Sequence, residues 1–272
     1  MEHYVWLIPL GFALGAFGTL IGAGGGFILV PVLLLLYPHA SPETITSISL
    51  AVVFFNALSG SWAYARMKRI DYKSGLLFAA ATIPGAIIGA LTTDYIPRRL
   101  FDAVFGLLMI VAATYLFFHR IEEGKPIEER SKGHIARNVV ETNGTVHVFS
   151  YDLRLGMWLS TFVGYVSSLL GIGGGIVHVP ILVRLLNFPV HIATATSHFI
   201  LVIMTLTGTI VHIATGSFSH GGVHRTICLA IGVLLGAQVG AALSARVHGM
   251  WIIRGLAVAL IFVGIRILVM AL

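Results

Sequence analysis

Charge is what this chain has least of. Only 10% of its 272 residues are Asp, Glu, Lys or Arg, against about 25% in soluble domains. That is too little to cover a water-facing surface. Cysteine is almost missing as well: Cys228 stands alone in an apolar run, which excludes an intrachain disulfide and a cysteine-based metal cage. His220 and His224 have helical metal-ligand spacing, but two glycines intervene and no third ligand is evident, so no metal site is expected. No Walker lysine, nucleotide fold or Ser-His-Asp arrangement is found, so neither ATP-driven pumping nor hydrolysis is supported, and neither enzyme activity nor a cofactor is expected. The N-terminus carries no basic leader and no convincing small-residue cleavage site, and reads as a retained first helix.

What the chain does have is apolar length. It is 57% hydrophobic with a mean hydropathy of +0.93, arranged in runs of about 20 residues separated by short polar turns, the pattern of a polytopic helical membrane protein. The net charge of +6 falls in the turns between runs, which fits the positive-inside rule rather than a nucleic-acid-binding stripe. The lipid bilayer is an expected partner; nucleic acid is not.

One stretch occurs twice. Gly22-Ala23-Gly24-Gly25-Gly26, with Pro31 beyond it, returns as Gly171-Ile172-Gly173-Gly174-Gly175, with Pro180 beyond it. Four glycines in five positions cannot sustain a helix, since each costs roughly 1 kcal/mol against Ala, and the proline removes a donor and crowds the preceding turn. A paired break in corresponding halves of a membrane chain is a pointer to a transport site.

In order, apolar segments are expected over about 4–21 and 27–37, then 43–65, 75–93 and 100–118. Residues 120–153 are the only substantial polar stretch, charged at 122–132 and then alternating around Asn143-Gly144, a hairpin signal. Segments follow at 153–170 and 176–186, then 190–214, 225–245 and 250–271. With a shift of 148, Ser49 faces Ser197, Gly60 faces Gly208 and Tyr64 faces His212. The expected architecture is an all-α polytopic membrane protein of two repeats, each of about four transmembrane helices with a Gly-rich broken first helix. Residues 1–119 form the first repeat, 120–153 the polar loop and 154–272 the second repeat. Four crossings per unit would make the repeats parallel, with both termini on the loop side, which the cation bias marks as cytoplasmic. Counting the pieces after each break as separate passes would invert them.

The helix starting after each break exposes free N–H groups and a positive dipole end, so two such starts could hold one small oxyanion. Thr44, Thr46, Ser47 and Ser49 in one half, and Thr194, Thr196 and Ser197 in the other, could line the same cavity. They could equally be caps and back-bonded hydroxyls. Arg184 could supply a fixed cation or snorkel to the interface. His178, His198 and His212 are candidates for proton coupling, each weighed against a neutral interior histidine; Asn56 and Gln238 are similar interior cases.

Two copies of Gly-x-Gly-Gly-Gly-x-x-x-x-Pro, each followed by a hydroxyl-rich helix start such as 193–197, resemble the sulfite exporter TauE/SafE family of bacterial and archaeal membrane proteins. The resemblance implies movement of sulfite or organosulfonates such as sulfoacetate across the cytoplasmic membrane. It carries the motif onto Gly22, Gly24, Gly25, Gly26, Pro31, Gly171, Gly173, Gly174, Gly175 and Pro180. The expected function is export of a small sulfur-containing anion by alternating access, with proton coupling a further option and a second copy of the chain a candidate partner. An uptake permease or channel for another anion, or a non-transporting membrane scaffold, is the alternative.

Overall fold

The computed structural model describes residues 4–37, 40–118, 134–218, 222–244, 246 and, near the end, 257–258, 261–262 and 264–269. The charged stretch 122–132, His220 and much of the expected last segment lie outside the described residues. The elements are α1 (Leu7–Ile21), α2 (Gly26–Leu36), α3 (Pro42–Arg66), α4 (Tyr72–Thr93), α5 (Arg98–Phe118), β1 (His134–Val140), β2 (Val146–Asp152), α6 (Leu153–Leu170), α7 (Gly175–Arg184), α8 (Val190–Ala214) and α9 (Gly222–Ser244). Among the described residues α3, α4, α8 and α9 are long and apolar enough to cross a membrane. Large apolar side chains such as Trp158, Phe162, Leu76 and Ile213 are exposed on the outside, the reverse of a water-soluble surface and what a lipid-facing belt requires.

The glycine breaks do more than interrupt a helix. Each reverses the chain. α1 ends on Gly22 at φ 85 and α6 on Gly171 at φ 69, left-handed caps that only glycine adopts without strain. Beyond its cap α7 runs back alongside α6: His178 Nε2 lies 3.1 Å from Ser160 Oγ, and Gly156 near the start of α6 faces Leu186 just past the end of α7. Both ends of this pair meet the β-hairpin, where Phe188 packs on Phe149 with ring centroids 4.4 Å apart. α1 and α2 form the same kind of pair, with Gly25 folded back against Leu14 and Gly18.

The two re-entrant pairs enter from opposite faces. α3 starts at the face where α8 ends, since Ser47 Oγ donates to the Ser217 carbonyl. It finishes at the hairpin, where the Thr142 amide donates to the Met67 carbonyl at 3.1 Å. α3 and α8 therefore run antiparallel through the centre. α1 lies along α9 and α4 along α6, at backbone-to-backbone distance: Gly232 and Gly236 sit on the Ile8 and Phe12 carbonyls, and Gly85 and Gly89 on those of Thr161 and Tyr165. Small residues are the means by which helices gain close packing where lipid supplies no hydrophobic drive. The start of α1 thus lies on the face away from the hairpin. Each post-glycine helix turns back toward the face its partner helix came from, and the start of α1 lies away from the hairpin rather than beside it.

The Asn-Gly signal sits in a real hairpin. β1 and β2 pair antiparallel with Val140 opposite Val146. Glu141 N donates to Thr145 O at 2.9 Å, and Gly144 takes the positive φ of 87 that the turn needs. The hairpin grips the α3–α4 turn. Arg69 Nε donates to Glu141 Oε2 at 2.8 Å and His147 Nε2 lies 2.8 Å from Glu141 Oε1, with the Arg69 and Glu141 side chains only 8% and 6% exposed. Burial pushes the Glu141 carboxyl up, but the bonds and charges of Arg69 and His147 outweigh it and hold it below its ordinary 4.5. A depressed carboxylate contributes stability that is present above the ordinary value and is lost as pH falls through the lowered one. Docking of the hairpin should therefore weaken on acidification below about pH 4.5. Glu141→Gln, which leaves Arg69 buried without its counter-charge, should cost about 3 kcal/mol. Proteolysis of the hairpin against pH, and thermal unfolding of the variant in detergent, check both.

Candidate functional site

The two reversal tips meet in the middle of the protein. Residues 21–27 and 171–176 are all buried. A Cβ at Gly26 would lie 2.7 Å from the Ile172 carbonyl oxygen, and one at Gly175 would run into the carbonyl oxygen of Gly22. Val53, near the midpoint of α3, packs on Gly24, Gly26 and Gly173 together. α2 and α7 thus begin beside each other and run to opposite faces, so their positive N-terminal ends converge. The amides of Gly25, Gly26 and Phe27 at one start, and of Gly174, Gly175 and Ile176 at the other, have no backbone acceptor among the described residues. Each start is capped by a glycine, Gly25 at φ 80 and Gly174 at φ 76, with no side chain in the capping position. A capping Ser or Asp would spend these donors within the chain; glycine leaves them open. Pro31 and Pro180 sit inside α2 and α7, where the missing N–H also leaves the carbonyls of Phe27 and Ile176 without their helical donor.

The hydroxyls of α3 and α8 frame the tips from the opposite half of the chain. Ser49 Oγ donates to the Gly171 carbonyl at 2.6 Å and Ser197 Oγ to the Gly22 carbonyl at 3.4 Å, so both serine protons hold the caps of α6 and α1. Thr46 lies against Gly171 and Thr194 against Gly22, and both threonine hydroxyls are buried without a hydrogen-bond partner among the described residues. An unsatisfied buried hydroxyl costs about 1–3 kcal/mol. A pair of them beside the same two glycine caps is an arrangement that a ligand would complete.

The other expected residues lie elsewhere. Thr196 Oγ1 accepts from the Asp71 amide at 3.1 Å, holding the start of α4. Arg184 is half-buried in the last turn of α7, about 13 Å along the helix from Gly175, where a cation suits the negative end of the dipole. His178 sits between α6 and α7 against Phe78, and His212 is 3.4 Å from Ser217 at the end of α8. His198 alone among the three histidines stands by a tip, with Nε2 3.2 Å from Thr19 Oγ1. Asn56, weighed from the sequence as an interior polar residue like the histidines, joins it there together with Thr19 and Tyr64, which site reasoning from sequence did not single out. Thr19 Oγ1 bonds Asn56 Oδ1 at 3.0 Å, and Tyr64 Oη donates to the Thr19 carbonyl at 2.7 Å. The signal for them was available: Thr19 precedes the break, and Asn56 and Tyr64 follow Ser49 at helical spacing on one face of α3. Among the described residues no group of His, Cys, Asp and Glu is placed to hold a metal ion.

A family model described as sulfite exporter TauE/SafE matches residues 7–267. Among curated proteins, the chain is 32% identical over 271 residues to the probable membrane transporter protein YunE of Bacillus subtilis, covering 97% of each chain. It is 26% identical over 253 residues to the probable membrane transporter protein MJ0441 of Methanocaldococcus jannaschii, covering 89% of this chain and 86% of that one. No solved structure gives a significant match.

The geometry separates neighbouring glycines. Gly174→Ala meets only the movable end of Met204 and the Ser167 hydroxyl, and should lose about 1–2 kcal/mol from left-handed strain. Gly175→Ala meets the immovable Gly22 backbone and should lose more, although its own φ is ordinary. Thermal unfolding of the two variants in detergent checks the order.

Proposed function

The chain belongs to the sulfite exporter TauE/SafE family, and from that membership together with the converging tips we propose that it is a secondary transporter of a small sulfur-containing oxyanion, exporting sulfite or an organosulfonate such as sulfoacetate by alternating access. It is a membrane transporter and not an enzyme. The observation that carries the substrate class is the pair of helix starts, each with a run of unpaired amides, meeting at the centre beside two unpaired threonine hydroxyls. Donors of this kind, with a positive helix end behind them, suit an anion that only accepts hydrogen bonds. Gly22, Gly24, Gly25, Gly26, Gly171, Gly173, Gly174 and Gly175 shape the site. Thr46 and Thr194 reach toward it, while Ser49 and Ser197 hold its backbone. His198 is the histidine best situated for proton coupling.

We further read the chain as two inverted repeats. Exchanging α1–α4 for α6–α9 leaves the main packing pairs unchanged, because α1·α9 becomes α6·α4 and α3·α8 maps onto itself. Inversion about a central pair of half-helices is the arrangement in which two outward-facing routes can alternate around one fixed site. The cation-rich turn at 66–73 and the hairpin share one face, which the positive-inside rule makes cytoplasmic.

Thermal unfolding of the detergent-purified protein against sulfite, sulfate, thiosulfate, sulfoacetate and taurine should show saturable stabilisation by a sulfur oxyanion, growing logarithmically with concentration. A flat response from the folded protein would remove the anion reading and favour a scaffold. Gly25→Ala and Gly174→Ala should abolish flux in proteoliposomes while still inserting; wild-type flux in both would refute the glycine site.

A further inference from the structure

The glycine tips are matched between the halves, but the side chains around them are not. Counterparts at the shift of 148 lie in corresponding places: Gly60 faces His198 and Thr19, and Gly208 faces Leu50 and Ser168. On the α1 side the positions hold His198, Asn56 and Tyr64. On the α6 side the same positions hold Leu50, Met204 and His212. The α1 flank thus carries a carboxamide and an imidazole, Asn56 and His198, where the α6 flank has Met204 and Leu50, while a hydroxyl and a ring stand on both, Thr19 and Tyr64 against Ser168 and His212.

Within the α1 flank the hydrogen-bond inventory does not close. Thr19 has one proton to give, and both Asn56 Oδ1 at 3.0 Å and His198 Nε2 at 3.2 Å lie within reach of its hydroxyl. His198 Nδ1 has no aligned hydrogen-bond partner among the described residues. Asn56 is fully buried and its Nδ2 has no partner among the described residues. An amide nitrogen carries two donors. If the amide is turned so that nitrogen meets Thr19, one N–H still remains unpaired. Asn56 is on the same face of α3 as Val53, one turn on, and Val53 packs on both tips. The open donor is thus fixed beside the converging helix starts, with Tyr64 and Thr19 holding its neighbours in place.

Resting on the transporter reading above, we infer that the oxyanion is bound off the pseudo-two-fold axis, in a subsite on the α1 flank formed by Thr19, Asn56 and His198, with the Asn56 amide donating directly to a substrate oxygen. Met204, the counterpart of Asn56, makes no polar contact with it. An acceptor-only ligand of sulfite or sulfate size completes the amide, and its remaining oxygens take the backbone donors of the α2 start. Asn56 is then the residue that gives an otherwise symmetric site its selectivity for a hydrogen-bond-accepting oxygen.

The test is anion affinity by thermal stabilisation in detergent, with sulfite and sulfate as probes, on wild type, Asn56→Leu, Asn56→Asp and Met204→Leu. Losing one hydrogen bond to a charged group should weaken binding about 10- to 100-fold in Asn56→Leu. Its unliganded melting temperature should hold or rise, because an unpaired buried amide has been replaced by an isosteric apolar group. Asn56→Asp, which sets a carboxylate against the anion, should abolish binding. Met204→Leu should stay within about twofold of wild type. Should Asn56→Leu fail to fold, Asn56→Asp carries the same test. Wild-type affinity in either Asn56 variant, or equal losses from Asn56→Leu and Met204→Leu, overturns the off-axis subsite while leaving the transporter reading standing. If neither probe binds the wild-type protein, the oxyanion reading itself falls, and the subsite with it.

Discussion

The structure depends on two missing Cβ atoms. Where Gly26 meets the Ile172 carbonyl and Gly175 meets that of Gly22, the backbones of the two tips touch directly. Any side chain there would hold the re-entrant pairs apart, and the consequences would spread. The Ser49 and Ser197 hydroxyls reach across from one half to the other to hold the caps at Gly171 and Gly22, so they register each tip against the long helix of its counterpart. Val53 touches both tips at once. Moving one tip by the width of a methyl group would unseat the caps, the central valine and the alignment of the helix starts together. Close-packed interiors transmit such displacements rather than absorbing them.

Much of this was legible in the residues. Apolar length and scarce charge announce a membrane protein, and the doubled glycine run followed by proline marks the two breaks. The offset of 148 residues that pairs Ser49 with Ser197 also pairs their roles, since both cap a glycine carbonyl of the other half. The direction of the chain after each break was not legible. Four glycines say that a helix ends, but whether the next begins onward or backward is decided by the Gly18–Gly25 and Ser160–His178 contacts, which are tertiary. Hydroxyl chemistry was misleading for a related reason. Thr196 belongs to the same hydroxyl cluster as Thr194 and Ser197, yet helical geometry turns it toward the amide of Asp71, where it fixes a helix start instead of facing the tips. The Asn-Gly hairpin, by contrast, was readable because its turn is a local requirement for a positive φ.

The β-hairpin is tied into the same mechanical unit. It holds the α3–α4 turn through Arg69 and Glu141, and the Asp71 carboxylate that caps α4 also bonds Ser74, whose hydroxyl meets Tyr151 at the end of β2. The Asp71 backbone in turn donates to Thr196 of α8. A continuous path of buried polar contacts thus runs from the hairpin to the helix that frames the Gly22 cap. The ionic link in that path, Arg69–Glu141, is shielded from water, and burial strengthens it relative to an exposed pair.

Among the described residues no cation stands at the tips, and for the proposed transport of an oxyanion that has a consequence. A buried arginine against a sulfur oxyanion would give a deep well, since two unit charges at close range interact by about 4 kcal/mol even at an effective dielectric of 20. It would also leave an uncompensated charge in the protein each time the substrate departed. Neutral donors avoid both problems. Backbone amides at a helix start, a threonine hydroxyl and a carboxamide gain about 1.5–3 kcal/mol each from a charged acceptor, and the empty site then holds unpaired dipoles instead of an unpaired ion. Conduction through a membrane needs a site that is favourable enough to enter and weak enough to leave. On the proposed reading, keeping Arg184 at the far end of α7, about 13 Å from the break, and building the centre from glycine amides and hydroxyls satisfies that condition.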